Sequence, residues 1–234
     1  MMFLAVLLAL TFAASDVPLL NQADTLREQG KSLEAIELYN ILIVQAANEK
    51  EDQTLVSALT GQILSWKHLY YKTNDKVFAI LVKTGTESLE RISKEKGLQN
   101  KHLVYFLKGQ ADLLLQEYSS AEQSFQSALI FYPSNDAQKG DWTAHLGEAL
   151  YLSGKKEEGK AKLLEGIDMI QAKAKDVDPF LIHVWTSGAY LRLAKLLKQD
   201  DPAASQLYLD KAKEIIDSDP KLVIRKQQLD SVSQ

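Results

Sequence analysis

Small side chains recur along this chain at fixed intervals, and few folds accommodate that pattern. From Gly109, a step of twelve residues reaches Ala121 and a further step of seven reaches Ala128. The same two steps lead from Gly147 to Gly159 and Gly166. From Ala23 they lead to Ala35 and then to Leu42, where the code lapses once. From Ala194 they reach Ser205 and Ala212 if one residue is removed from the intervening turn. A glycine inside a helix costs about 1 kcal/mol relative to alanine. Its repeated use there argues for places where two backbones approach closely.

Bulky residues keep step with the small ones. Four positions after the middle small residue stand Tyr39, Phe125, Leu163 and Leu209. Three positions after the first stand Leu26, Leu150 and Leu197, with Asp112 the exception. Polar turn sequences separate the first small residue from the second: Gln29-Gly30-Lys31, Gln116-Glu117-Tyr118, Ser153-Gly154-Lys155 and Asp200-Asp201-Pro202. Each unit therefore reads as a helix, a short turn and a second, antiparallel helix. Seven residues is about two helical turns, so the last two small residues share a face. One hairpin cannot bury that face alone, and neighbouring hairpins must stack. In the unit around Gly109, Ser119 and Glu122 fit a capping box that opens the second helix, and Pro133 closes it.

This spacing resembles the tetratricopeptide repeat (TPR). YFLKGQADLLLQEYSSAEQSFQSALIFYP (105–133) matches nearly a whole repeat, and AHLGEALYLSGKKEEGKAKLLEGI (144–167) is the second match. ADTLREQGKSLEAIELYNILI (23–43) is a fair third, and AKLLKQDDPAASQLYLDKAKEI (194–215) is degenerate. The resemblance implies an all-α, right-handed α-solenoid of antiparallel helix hairpins, a TPR-like superhelix of about ten helices over residues 16–234. The first small residues lie 86, 38 and 47 positions apart, which departs from the period of about 34 residues in such repeats. Residues 51–97 fill the largest gap and read as another hairpin around an Asn74-Asp75 turn. Its first helix carries Leu55, Leu59, Ile63, Trp66 and Leu69 at helical spacing. The small-residue code is missing there, so that hairpin is expected to be longer and packed differently. Asp178-Pro179 pairs an N-cap with proline at the first helical position, and Asp219-Pro220 promises the same start for a last helix.

The composition, 46% hydrophobic and 25% charged, is that of a globular chain. Net charge is -4, and lysines alternate with glutamates as in GKKEEGKAK. A nucleic-acid partner is disfavoured, because it calls for a basic stripe. The chain has no cysteine, which excludes disulfides, thiolate catalysis and cysteine-ligated zinc. Residues 3–14, FLAVLLALTFAA, carry no charge. They are too short to span a bilayer as a helix, which takes about 20 residues. They match the apolar region of a secretory signal, with Ala13, Ala14 and Ser15 at the cleavage site, although no basic residue precedes them. Residues 1–15 are therefore expected to be a signal peptide and the protein exported, periplasmic or secreted. A first helix packed on the domain is the alternative, and implies a cytoplasmic protein.

Motifs of catalysis are missing. The sequence holds no HExxH, no glycine-rich phosphate loop and no GxSxG elbow. His145 and Glu148 stand three apart on one helix face, a pair that is more often a side-chain contact than a metal site. The expectation is a non-catalytic protein with no cofactor and no metal. Trp66, Trp142 and Trp185 fall on first helices of hairpins, which in TPR-like arrays line a concave surface that takes an extended peptide or a helix. The resemblance thus implies a protein-interaction module whose groove is lined by Phe106, Gln110, Leu114, Glu148, Tyr151 and Lys195. One subfamily grips a C-terminal carboxylate with asparagines placed directly after the first small residue. Here those positions hold Asp24, Gln110, Glu148 and Lys195, and the two acidic groups would repel such a ligand. The expected partner is another protein or peptide, with no membrane span. Two alternatives stay open: an assembly subunit of an envelope complex that works by its convex face or edge, and an enzyme or small-ligand binder with a site between hairpins.

Overall fold

The computed structural model describes residues 17–233, with the side chains of 18–232. The expected signal peptide, residues 1–15, lies outside the described residues. Among the described residues there are eleven α-helices, one short 3-10 turn at Ala174–Asp176, and no strand. The all-α class read from the sequence is the class the chain adopts. Two compact units divide at Gln99 and Asn100.

The first unit holds α1 (Val17–Glu28), α2 (Ser32–Glu49), α3 (Asp52–Thr73) and α4 (Lys76–Glu95). Consecutive helices pack on one another. Ala23 and Ala35 are fully buried, as the small-residue code requires, and so is Leu42, where the code lapses. Tyr39 is buried beside them and donates to Asp24 Oδ1 at 2.6 Å, while Arg27 Nε donates to Tyr39 Oη at 3.3 Å. Burial, with the bond to Asp24, pushes the Tyr39 hydroxyl well above its ordinary range. The 51–97 hairpin is longer than its neighbours, with helices of 22 and 20 residues about the left-handed Asn74. It is nonetheless built on small residues. Gly61 lies against the Tyr39 ring, and a Cβ on Gly85 would stand 2.8 Å from both Ile63 and Trp66.

The second unit holds α5 (Lys101–Leu114), α6 (Tyr118–Phe131), α7 (Ala137–Leu152), α8 (Lys156–Ala172), α9 (Pro179–Leu197), α10 (Pro202–Ser218) and α11 (Val223–Ser233). The glycines stand where helices touch. A Cβ on Gly109 would come within 2.7 Å of the Phe125 ring, and one on Gly147 within 2.5 Å of the Leu163 backbone nitrogen. Gly140 and Gly166 face each other in the same way about two turns along α7 and α8. Ala121, Ala128 and Ala194 are fully buried, and Ser205 Oγ donates to the Ala194 carbonyl at 2.7 Å.

The turns repeat as closely as the helices. The three turns after α1, α5 and α7 place Gly30, Gln116 and Gly154 in the left-handed region, with φ of 75, 63 and 97°. In each, the next residue donates its N–H to the carbonyl five positions back: Lys31 to Leu26, Glu117 to Asp112 and Lys155 to Leu150. This is the Schellman closure of a helix C-terminus. Asp178 caps α9 by accepting from Phe180 N, with Pro179 at the first helical position as read from the sequence. Pro133 follows α6 and the extended Tyr132.

Two local readings are corrected. The Ser119–Glu122 capping box does not form: α6 starts at Tyr118 behind Glu117, which makes no side-chain cap. Glu122 instead binds Lys155 Nζ at 2.6 Å and Ser153 Oγ at 3.2 Å, which ties the two hairpin turns together. Asp219 is not the N-cap of the last helix. It ends α10, accepts from Lys221 N and pairs with His183 Nδ1 at 3.0 Å, and α11 begins three residues after Pro220.

Candidate functional site

The first helices α5, α7 and α9 meet at a buried polar cluster. His145, Asp141 and Glu148 stand at i, i−4 and i+3 on α7, so one face of the helix carries all three. Arg192 reaches that face from α9. Its Nη2 lies 3.2 Å from Asp141 Oδ1, its Nη1 lies 3.2 Å from His145 Nε2, and its Nε lies 3.8 Å from Glu148 Oε2. Gln110 closes the cluster from α5, with Nε2 3.4 Å from His145 Nε2. None of the four ionisable side chains is more than 18% exposed, so these charges interact at low effective dielectric.

The geometry fixes the histidine tautomer. A guanidinium only donates. His145 Nε2 must therefore accept from Arg192, and the ring proton sits on Nδ1, 3.7 Å from Glu148 Oε2. With the ring neutral, two carboxylates face one guanidinium. The imidazole lone pair is taken up by Arg192, so proton abstraction through Nε2 would first require that arginine to move. Aromatic rings wall the cluster: Phe106 meets His145 edge-on at 5.2 Å and Phe125 stacks on it at 5.5 Å.

The six residues singled out in the sequence are placed as follows. Gln110 and Glu148 belong to the cluster. Phe106 is buried and stacks on Trp142, ring centroids 4.4 Å apart, within the core shared by α5, α6 and α7. Leu114 is buried as well. Tyr151 is buried and donates to Asp200 Oδ2 at 2.6 Å. Burial of its ring, with that hydrogen bond, pushes its hydroxyl up to about 12. Lys195 is exposed on α9. Trp142 is core, and Trp66 and Trp185 are half-buried.

Asp141 and Arg192 were not identified from the sequence. Their signals were present: an acid four residues before His145, and a lone arginine within the apolar run AYLRLAKLL. Among the described residues no three His, Asp or Glu side chains are gathered to hold a metal ion. Among the same residues no helix is long and apolar enough to cross a membrane. No protein-family model and no curated protein matches the chain.

Proposed function

We propose that this chain is a non-catalytic binding module of the tetratricopeptide-repeat type that holds a protein or peptide segment against α5, α7 and α9. The observation that carries the reading is positional. Gln110, Glu148 and Lys195 each stand one residue after a small packing residue, on three consecutive first helices. α7 and α9 pack on each other, at the spacing of about 8–10 Å usual for packed helices, which suits an extended segment crossing them. Gln110 and Glu148 are held in place by the buried ion cluster they belong to, and Lys195 stands exposed on α9. The apolar segment 3–14 supports an exported setting.

A second reading has its own observation. In the second unit, second helices carry large exposed apolar side chains: Ile130 at 78% on α6 and Leu207 at 52% on α10. These favour assembly through the opposite face.

Capture from a native envelope or secreted extract separates the two readings, with three baits compared: the unaltered chain, Lys195→Glu and Leu207→Glu. Both substitutions fall on exposed positions, and unchanged unfolding midpoints verify the fold. Groove binding predicts a partner lost with Lys195→Glu and kept with Leu207→Glu. The reverse pattern rejects the groove in favour of assembly. Intact mass of the expressed protein tests export, and retention of residues 1–15 counts against it.

A further inference from the structure

Arg192 and His145 compete for the same two carboxylates. Arg192 holds Asp141 through Oδ1 and approaches Glu148 through Oε2. His145 stands 4.0 Å from Asp141 Oδ2 and 3.7 Å from Glu148 Oε2. At neutral pH the ring is the uncharged acceptor of the arginine, as the contact of 3.2 Å between Nε2 and Nη1 requires. We propose that His145 is an acid-operated switch: on taking a second proton it displaces Arg192 from Asp141 and Glu148, and so unties α9 from α7 at this point.

The physical reason is local. A second proton goes to Nε2, where it meets Arg192 Nη1 head-on and turns a hydrogen bond into a contact between two cations. The ring and the guanidinium must then part. The ring has partners in place on its own helix, one four residues before it and one three residues after it. Arg192 has the longer and more flexible side chain, which lets it swing away from α7 while staying anchored on α9. The ring faces the two carboxylates on α7, the guanidinium from α9, the Gln110 amide and the Phe106 ring from α5, and the Phe125 ring from α6. The exchange stands on this geometry whether or not the first helices bind a peptide, and it would set free a cation on the face where a partner is proposed to lie.

Nuclear magnetic resonance of the full chain tests it, with the His145 ring nitrogens and the Arg192 Nε–H followed from about pH 7.5 to about pH 5. At the upper end Nε2 is expected to be the unprotonated nitrogen. As the second proton is taken up, the Arg192 Nε–H signal is expected to be lost in step, against the usual slowing of such exchange by acid. In His145→Gln, which cannot charge, the signal is expected to persist to the acid end. Three results overturn the proposal: a ring that stays neutral down to about pH 5, an Arg192 signal that survives ring protonation, or an equal loss in His145→Gln. If the variant does not fold, the titration of the unaltered chain decides alone.

Discussion

A Cβ placed on Gly147 would stand 2.7 Å from the carbonyl oxygen of Gly159, so these two glycines hold α7 and α8 at backbone contact. The atoms met are main-chain atoms of the facing helix, and no rotamer change relieves them. Gly147→Ala gains about 1 kcal/mol of helix propensity. Overpacking of a tight contact costs about 1–3 kcal/mol, and rigid backbone places this site at the upper end. The expected net loss is about 1–2 kcal/mol by urea unfolding. Gly109→Ala should lose less, because there the new methyl meets the Phe125 ring and not backbone. A stabilised Gly147→Ala would show that the helices do not need this contact.

Gln116 carries out a glycine's task. It ends α5 with φ of 63°, where the equivalent turns use Gly30 and Gly154. A side chain in that region costs about 1–2 kcal/mol, part of which glycine forfeits through a more flexible unfolded chain. Gln116 is exposed, so its removal loses little packing. Gln116→Gly is expected to raise stability by about 0.5–1 kcal/mol, read as a higher urea midpoint at constant slope.

Asp112 occupies a position where the repeat pattern places leucine. Its buried carboxylate accepts from Ser120 Oγ at 2.8 Å and from Ser124 Oγ at 3.2 Å, and it lies by the first turns of α6. That helix has no side-chain N-cap, so the carboxylate also serves its positive end. Asp112→Leu restores the pattern and should nonetheless destabilise, by about 1–2 kcal/mol, because two hydroxyls lose their acceptor. The measurement is thermal or urea unfolding, and a gain in stability would return Asp112 to the status of a packing defect.

The helix hairpins were legible because they rest on a periodic signal. Gly109, Gly147, Gly159 and Gly166 announce close approach in the sequence itself, and the coordinates place each against a neighbouring helix. Gly61 and Gly85 do the same work 24 residues apart, at an interval the twelve-and-seven step does not sample. The capping box failed because Glu122 found a stronger partner across space in Lys155, and a local rule does not register a residue 33 positions away. The ion cluster was half legible for the same reason. Asp141, His145 and Glu148 lie on one helix and share a readable face, whereas Arg192 joins them only through the packing of α9 on α7.

His102 is expected to make stability fall with acid. The ring lies between Tyr132 and Trp142, with centroids 5.7 and 5.9 Å away, and burial holds its pKa below the ordinary 6.5. The folded state therefore favours the neutral ring, while the unfolded chain takes up its proton first. This contribution is fully present above about pH 6.5 and is lost as pH falls from there through the lowered folded value. His102→Phe keeps an aromatic ring against Trp142 and removes the titration. The difference in urea midpoint between about pH 7 and about pH 5 should be smaller in the variant than in the unaltered chain. Other histidines and carboxylates contribute equally to both proteins and cancel in that comparison. An equal acid dependence in the two would show that the His102 ring gains nothing from staying neutral in the fold.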